Sequence, residues 1–416
     1  MLHSEGMDKL DLSIRKCYSN IEIRKEIKEE LSQRGDSLPQ NKDAKILIKP
    51  NLNSNMNALT GNTTDLRLIA AVLEFLKDSG YSNITIGEGT NSGFYRRGIG
   101  VISRLKVDRL AKKYGARTYD LNYDSRIEIE FENGVKAEVS DICINNDFFI
   151  NIPKLKMHYE TEMTVCLKSL IGCLVGMENK RKTHSSLIKN IYNLNKFIKP
   201  DLHIVDAIIA MEGTGPTTGT PIHCGYIIAG KNPFLLDLAC AMIAGVPYIE
   251  VPVLKLAEEK GDIPRSFHEY LYEIEIDRYI KRFKRPEINL LTALVSHKRL
   301  QKYFLMIRHA PIIKTIFGTS LANRIMFATG LTQEIFIEED RDENKLHLDE
   351  SKCKGEGKCR IYCPMGLNLP EELNHPDCIN CLYCFCICPS RAIEIEGDLC
   401  FFSEQLKQYD TIVRSL

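Results

Sequence analysis

Apolar positions along the chain fall into short blocks whose spacing alternates between that of a strand and that of a helix. Lys45-Ile46-Leu47-Ile48 reads as a short strand of the buried type, closed by Lys49-Pro50-Asn51. Leu66 to Lys77 carries the stripe of an amphipathic helix and stops at Ser79-Gly80. Asn83 to Ile86 predicts a second strand, which runs into the glycine-rich loop Gly87-Glu88-Gly89-Thr90-Asn91-Ser92-Gly93 and then a helix near Arg97–Tyr114. Further strands are expected at Asp147–Ile152, His203–Ile209 and Tyr226–Ala229, with helices between them. Strand–helix alternation with glycine turns predicts an α/β fold: a mostly parallel sheet with flanking helices. Ahead of it, Ile14, Ile21, Ile23, Ile27 and Leu31 stand among many charges, so residues 1–44 read as an N-terminal helical arm.

Composition sharpens the organisation. A length of 416 residues suggests two or three domains, and 44% hydrophobic with 26% charged residues excludes wholesale disorder. The 55 Lys+Arg and 55 Asp+Glu cancel, which argues against a uniformly basic nucleic-acid binder. The zero is a sum of opposed pieces. Residues 278–333 hold eleven bases and one acid, Glu287; residues 334–400 hold fifteen acids and seven bases. The expected domains are therefore the arm, an α/β domain over 45–265, a basic helical connector over 266–333, a small α+β domain over 334–400, and a tail over 401–416. The connector's basic face is expected to pack against or steer the acidic domain, with a membrane-surface helix pair as the other reading. No apolar run of about 18 residues occurs and the first residues lack a secretory pattern, so a cytoplasmic location is expected. Cysteines there stay reduced, and clustering then points to metal.

Eight of the fifteen cysteines lie between Cys353 and Cys388. Cys378-x2-Cys381-x2-Cys384-x3-Cys388-Pro389 follows the C-x2-C-x2-C-x3-C-P spacing in which three thiolates wrap one iron–sulfur cluster and the fourth reaches a second. An upstream copy, Cys353-x5-Cys359-x3-Cys363-Pro364, has Glu356 where the second cysteine would stand. Cross-ligation predicts two iron–sulfur clusters. One 4Fe–4S cluster would use Cys378, Cys381, Cys384 and Cys363. The other would use Cys353, Cys359 and Cys388, as a 4Fe–4S cluster with Glu356 or another non-cysteine ligand, or as a 3Fe–4S cluster. Two four-thiolate zinc knuckles are the alternative, but zinc pairs normally have a longer spacer. Over about residues 346–395 the sequence resembles bacterial two-cluster ferredoxins.

In the α/β half, polar residues punctuate the predicted strand ends, where open α/β sheets bind ligands. They are Lys49 and Asn51; Gly87, Glu88 and Gly89; Lys154, Lys156 and His158 in Pro153-Lys-Leu-Lys-Met-His; Lys168; Lys180 and His184; Asp206; Glu212, Gly213 and Gly215; and Asp237. Lysines directly after an apolar strand are costly to bury without an anionic partner. Lys154, Lys156, Lys168 and His158 are therefore expected to form a cationic pocket for a carboxylate or phosphate, with His158 or a desolvated lysine as proton donor. Asp206 and Glu212 would orient the cations or bind a metal. Lys49, Asn51, Lys180, His184 and the glycine loops would line the substrate. His158, His184, His203, His223 and Cys224 lack metal-site spacing, and Cys166 and Cys173 read as buried packing thiols.

As a set, Lys-Pro-Asn at 49–51, the loop at 87–89, Pro-Lys-x-Lys-x-His at 153–158, Leu-Lys at 167–168, Glu-Gly-x-Gly-Pro at 212–216 and Asp237 resemble the domain-of-unknown-function 362 family over residues 45–250. Ser169 departs from the asparagine common there, and members often carry a ferredoxin module. The combined expectation is an iron–sulfur oxidoreductase, loaded by an external donor such as ferredoxin, acting on an anionic small molecule. A non-enzymatic electron-transfer subunit that docks a partner enzyme, and a non-redox enzyme with structural or substrate-binding clusters, stay open beside it. The oligomeric state is not read from the sequence.

Overall fold

The computed structural model describes residues 10–90, 100–217, 219–286 and 345–396. Its centre is a sheet of nine strands. They are β1 (Leu12–Lys16), β2 (Ile46–Pro50), β3 (Ile84–Glu88), β4 (Arg117–Asp120), β7 (Phe148–Ile152), β8 (Lys154–His158), β9 (Glu162–Thr164), β10 (Leu202–Glu212) and β11 (Thr220–Gly230). A separate hairpin pairs β5 (Arg126–Glu130) with β6 (Lys136–Ser140). The main order is β1-β11-β10-β7-β2-β3-β4, and the β4-β3-β2-β7-β10 run is parallel. The sheet is mostly parallel and flanked by helices, as the alternating pattern predicted.

Burial on both faces explains the apolar runs. Ile46 and Ile48 face one core, with helices α1 (Asn20–Gln33) and α2 (Leu66–Asp78), while Leu47 faces another with Phe149 and the β5–β6 hairpin. The strand period of two divides one sequence between two layers.

Three boundaries differ from the sequence reading. The expected helical arm opens with β1, an edge strand antiparallel to β11, before α1 begins; residues 1–9 lie outside the described set. Arg15 explains the pairing of strand and helix, since its guanidinium donates to Glu30 of α1 at 2.6 Å. The expected connector does not start at 266. Helix Arg265–Glu273 buries Phe267 and Leu271 in the α/β core, and Phe283 follows them. Its remainder, 287–333, and the tail 401–416 lie outside the described residues. Finally, Lys154–His158, past the end of the predicted strand, is itself a strand, because after Pro153 the chain resumes pairing beside β10.

The small C-terminal unit has a two-stranded sheet of Leu346–Leu348 with Ile393–Ile395 and short helices at Lys358–Tyr362 and Tyr383–Ile387. It shares the α1–α2 core through Tyr362, Tyr383, Phe385 and Ile387. Arg24 donates to the Pro364 carbonyl at 2.8 Å, and Lys113 to that of Pro376 at 2.9 Å.

Candidate functional site

From β2 the chain moves outward to β3 and β4 on one side, then returns to β7 on the other. The switch point thus lies between the carboxyl ends of β2 and β7, where open α/β sheets leave a crevice. The residues leaving those ends are Asn51 and Asn53 after β2, and Pro153 and β8 after β7.

Strand β8 supplies the cations. Leu155 and Met157 enter the apolar core shared with β10, so the alternate positions Lys154, Lys156 and His158 share the opposite face. All three are buried. Lys154 forms an ion pair with Asp206 at 2.9 Å, and the same carboxylate accepts from Asp65 N at 2.7 Å and Ile208 N at 3.1 Å. Asp206 thus holds the Lys154 ammonium in place.

The other lysines are held differently. Lys156 Nζ donates to Asn51 Oδ1 at 2.8 Å, Asn53 Oδ1 at 2.5 Å and Asn62 O at 2.9 Å, all neutral. Lys180 Nζ donates to Gly89 O at 2.9 Å, Thr90 O at 3.1 Å and Asn122 Oδ1 at 2.5 Å. Lys49 Nζ pairs with Glu88 at 3.2 Å and donates to Pro50 O and the Ser169 hydroxyl. Ser169 in turn donates to Asn151 Oδ1 at 3.2 Å, so its hydroxyl links Lys49 to β7. Burial, reinforced by Lys168 and Lys154, pushes Lys156 well below the ordinary lysine value. Burial brings Lys180 down to about 8 and Lys168 to about 7, with Glu88 and Glu160 respectively opposing. Lys168 is only half-buried, and its ammonium donates to Thr161 Oγ1 at 3.0 Å.

His158 Nδ1 accepts from Glu160 N at 3.0 Å, which places the ring proton on Nε2. Burial, Lys168 and Lys156 hold this imidazole well below its usual range, which favours the uncharged ring.

Three substrate-lining expectations move. Glu212 ends β10, and its carboxylate accepts from Lys284 N at 2.9 Å and pairs with Lys284 Nζ. His184 stands half-exposed opposite Glu160, at 3.8 Å. Gly87 and Glu88 end β3 instead of forming a loop. The glycines act by close approach. A Cβ on Gly89 would lie 2.2 Å from Gly172 O, one on Gly172 would lie 2.1 Å from Glu88 Oε1, and one on Gly215 would lie 1.9 Å from Met157 O. Gly213, at φ +76°, makes the turn into that contact, donating to Lys284 O. Glu88 Oε1 is buried with no hydrogen-bond partner among the described residues. Asp237 stands apart, capping the short helix Cys166–Ser169 through Cys166 N and Leu167 N, and burial raises it to about 7. Cys166 and Cys173 are buried. Sequence reasoning missed Asn53, Asn62, Asn122 and Thr161.

The cysteines divide into two neighbourhoods. Cys363, Cys378, Cys381 and Cys384 line one cavity, closed by Met365, Ile379 and Tyr383. Burial raises the Cys381 and Cys384 thiols well above the ordinary value, with Cys363 and Cys378 adding to the effect on both. Cys359 is raised by burial and by its neighbours Cys388 and Cys353. Backbone N–H groups already point at sulfur, as from Asn380 to Cys378 and from Ala392 to Cys388. Such donors suit the charged sulfurs of a cluster site. Cys353 and Glu356 are exposed, and Cys386 is buried and adds to the upward shift of Cys384. Among the described residues no three His, Cys, Asp or Glu side chains are gathered around the position of a single metal ion.

Cavity and crevice meet at the start of α2. Tyr383, on the cavity wall, accepts from Leu66 N at 3.2 Å, while the preceding Asp65 N donates to Asp206. Two of the orphan donors at the helix N-terminus are thus satisfied from opposite sides. Arg67 is fully buried beneath them, paired with Asp65 at 2.7 Å and 4.2 Å from the centre of the Tyr362 ring.

Residues 46–242 match the family described as Domain of unknown function (DUF362). Thylakoid-associated protein sll1697 of Synechocystis sp. is 26% identical over 268 residues, 59% of this chain and 77% of the relative. An uncharacterized protein of Methanocaldococcus jannaschii, MJ0749, is 39% identical over 53 residues, 13% of this chain and 22% of that protein. The lactate racemase apoprotein from Thermoanaerobacterium thermosaccharolyticum superposes with a TM-score of 0.34 at 12% identity, covering 59% of each chain. Among the described residues no helix is long and apolar enough to cross a membrane.

Proposed function

We propose that the protein is a cytoplasmic iron–sulfur oxidoreductase that passes single electrons to an anionic small molecule held in the β2–β7 crevice. The reading rests on one observation above the others: Tyr383 on the cysteine cavity and Asp206 in the crevice bond to consecutive amides of α2, so the two sites are neighbours. Cys363, Cys378, Cys381 and Cys384 would hold a 4Fe–4S cluster. Cys353, Cys359 and Cys388 would hold the second, with Glu356 or an outside group completing a 4Fe–4S cluster, or as a 3Fe–4S cluster. Bound clusters would supply one-electron transfer, loaded by an external donor such as ferredoxin. Lys154, Lys156 and Lys168 would supply positive field to the anion, and neutral His158 a hydrogen bond.

The test begins with anaerobic purification, iron and sulfide counts, and EPR. About eight irons indicates two cubanes and about seven indicates one 3Fe–4S cluster. Protein reduced by dithionite is then mixed with a panel of carboxylates and phosphates, and cluster reoxidation is followed by absorbance. Reoxidation by a class of anion supports the reading. Zinc in place of iron, or reoxidation only by a partner protein, overturns it, the latter in favour of an electron-transfer subunit.

A further inference from the structure

Four of the crevice lysines are committed. Lys49 and Lys154 face carboxylates, and Lys156 and Lys180 each have three neutral oxygens around the ammonium. Three acceptors use all the protons that an ammonium can donate. Lys168 differs on each count. It is half-buried where those four are buried, and among the described residues it has no carboxylate at ion-pair distance and one hydrogen bond, to the Thr161 hydroxyl. That hydroxyl spends its own proton on Met163 O at 3.0 Å. Lys156 and His158 face Lys168 from β8, Glu160 from the following turn, and His184 stands beyond Glu160.

From this arrangement we propose that Lys168 is a nucleophilic amine that captures the carbonyl carbon of an anionic aldehyde or ketone, such as a 2-oxo acid. The inference rests on the reading of the crevice as an anion site and names the substrate class. The amine lone pair forms the C–N bond while the carbonyl π pair moves to oxygen, which takes up a proton. Loss of water, which carries off one of the two nitrogen protons, leaves an iminium ion on Lys168 that keeps the other. The fixed lysines behind it would attract the carboxylate, and Thr161 would aim the amine. Desolvation is a known way to make a lysine nucleophilic near neutral pH, and burial brings Lys168 down to about 7. Its neutral fraction at neutrality is then about a thousandfold above that of an ordinary lysine.

The probe is glyoxylate with sodium cyanoborohydride, whose hydride reduces the iminium to a stable carboxymethyl-lysine, located by peptide mass mapping of the full-length protein under anaerobic conditions. Lys168 is expected to be modified well before the exposed Lys25 and Lys136, with a rate that rises through about pH 7 as the amine deprotonates. Propionaldehyde, of similar reactivity but uncharged, should show a smaller preference. Lys168→Arg keeps the charge and should lose the fast modification. Modification of Lys168 no faster than Lys25 or Lys136 overturns the proposal, and equal preference with propionaldehyde overturns its anionic part. Labelling reads the amine and not electron flow, so its failure is separable from failure of the redox reading.

Discussion

Replacing Asp206 by asparagine isolates the electrostatic logic of the crevice. The carboxylate accepts from Lys154 Nζ, Asp65 N and Ile208 N in a fully buried position. An asparagine has one acceptor oxygen, so one of the two oxygens' partners meets an N–H instead. More importantly, buried Lys154 loses its direct ion-pair partner and keeps only the field of Asp65, whose carboxylate is already paired with Arg67. Removing one member of a buried pair costs about 3–5 kcal/mol, while replacing both by groups of similar size is often near neutral. Asp206→Asn is thus expected to lower stability by about 3–5 kcal/mol. Adding Lys154→Met should recover most of this and leave about 1–2 kcal/mol for the lost backbone bond. Anaerobic urea unfolding followed by circular dichroism measures both, compared at matched denaturant slope. The sign with pH is also fixed. A lysine forced neutral in the folded state binds fewer protons there than when unfolded, so the single variant should regain stability as pH rises. A single variant within about 1 kcal/mol of the parent, or a double variant no better than the single, would refute the reasoning.

Other outcomes follow from the same geometry. Lys168 and Lys180 lie near 7 and 8, so an anion that favours their charged forms must bring protons with it. Calorimetry of phosphate or oxalate binding in two buffers of different ionisation enthalpy should show net proton uptake at about pH 8, and affinity should fall as pH rises through about 7 to 9. Gly172→Ala would press its Cβ on Glu88 Oε1 and, at 2.9 Å, on Lys49 Nζ; a loss of about 1–3 kcal/mol in urea unfolding and weaker anion binding are expected. Tyr383→Phe removes the acceptor of Leu66 N, and should cost about 1 kcal/mol with iron content unchanged.

The sheet was legible because its strands are short apolar runs between glycine and proline turns, as at Ile46–Pro50 and Ile84–Glu88. Strand β8 was not, since Pro153 marks a break and three of its five positions are polar. Its period-two alternation, Lys154-x-Lys156-x-His158, was nonetheless present as a signal. Motif spacing alone keeps the cysteines of one motif close, and the fold exchanges one from each, with Cys363 beside Cys378, Cys381 and Cys384, and Cys388 beside Cys359. Asn53, Asn62 and Asn122 were silent for a different reason. Their role depends on where Lys156 and Lys180 arrive from far along the chain, and an asparagine in a loop looks the same whether or not it holds an ammonium. The seam of Tyr383, Leu66 and Asp65 is of this kind too, joining residues more than three hundred apart in sequence. The N-terminal strand was hidden by charges such as Arg15, which serve the packing of strand and helix and not a solvated helical face.

Lys156 offers the sharpest distinction between a binding group and a source of field. With its three protons given to Asn51, Asn53 and Asn62, it has none for a ligand. Its contribution to an anion is therefore Coulombic. A unit charge held about 6–8 Å behind a bound anion, at an effective dielectric of about 20, is worth about 2–3 kcal/mol. Lys156→Met should accordingly weaken anion binding by about thirtyfold to a hundredfold, although no ligand contact is deleted. Burial holds Lys156 well below the ordinary lysine value and a nearby anion favours its charged form, so whatever protonation Lys156 gains on binding is absent from the variant. Unfolding need not track this loss, since the variant exchanges a costly buried ammonium for three unpaired asparagine-loop acceptors, each term amounting to a few kcal/mol. An orienting contact would behave otherwise, losing affinity without changing the proton count. Titration calorimetry of Lys156→Met beside the parent separates the two: retained uptake with lost affinity would place the lysine in direct contact, and loss of both makes it the fixed positive wall against which Lys168 and His158 present the ligand.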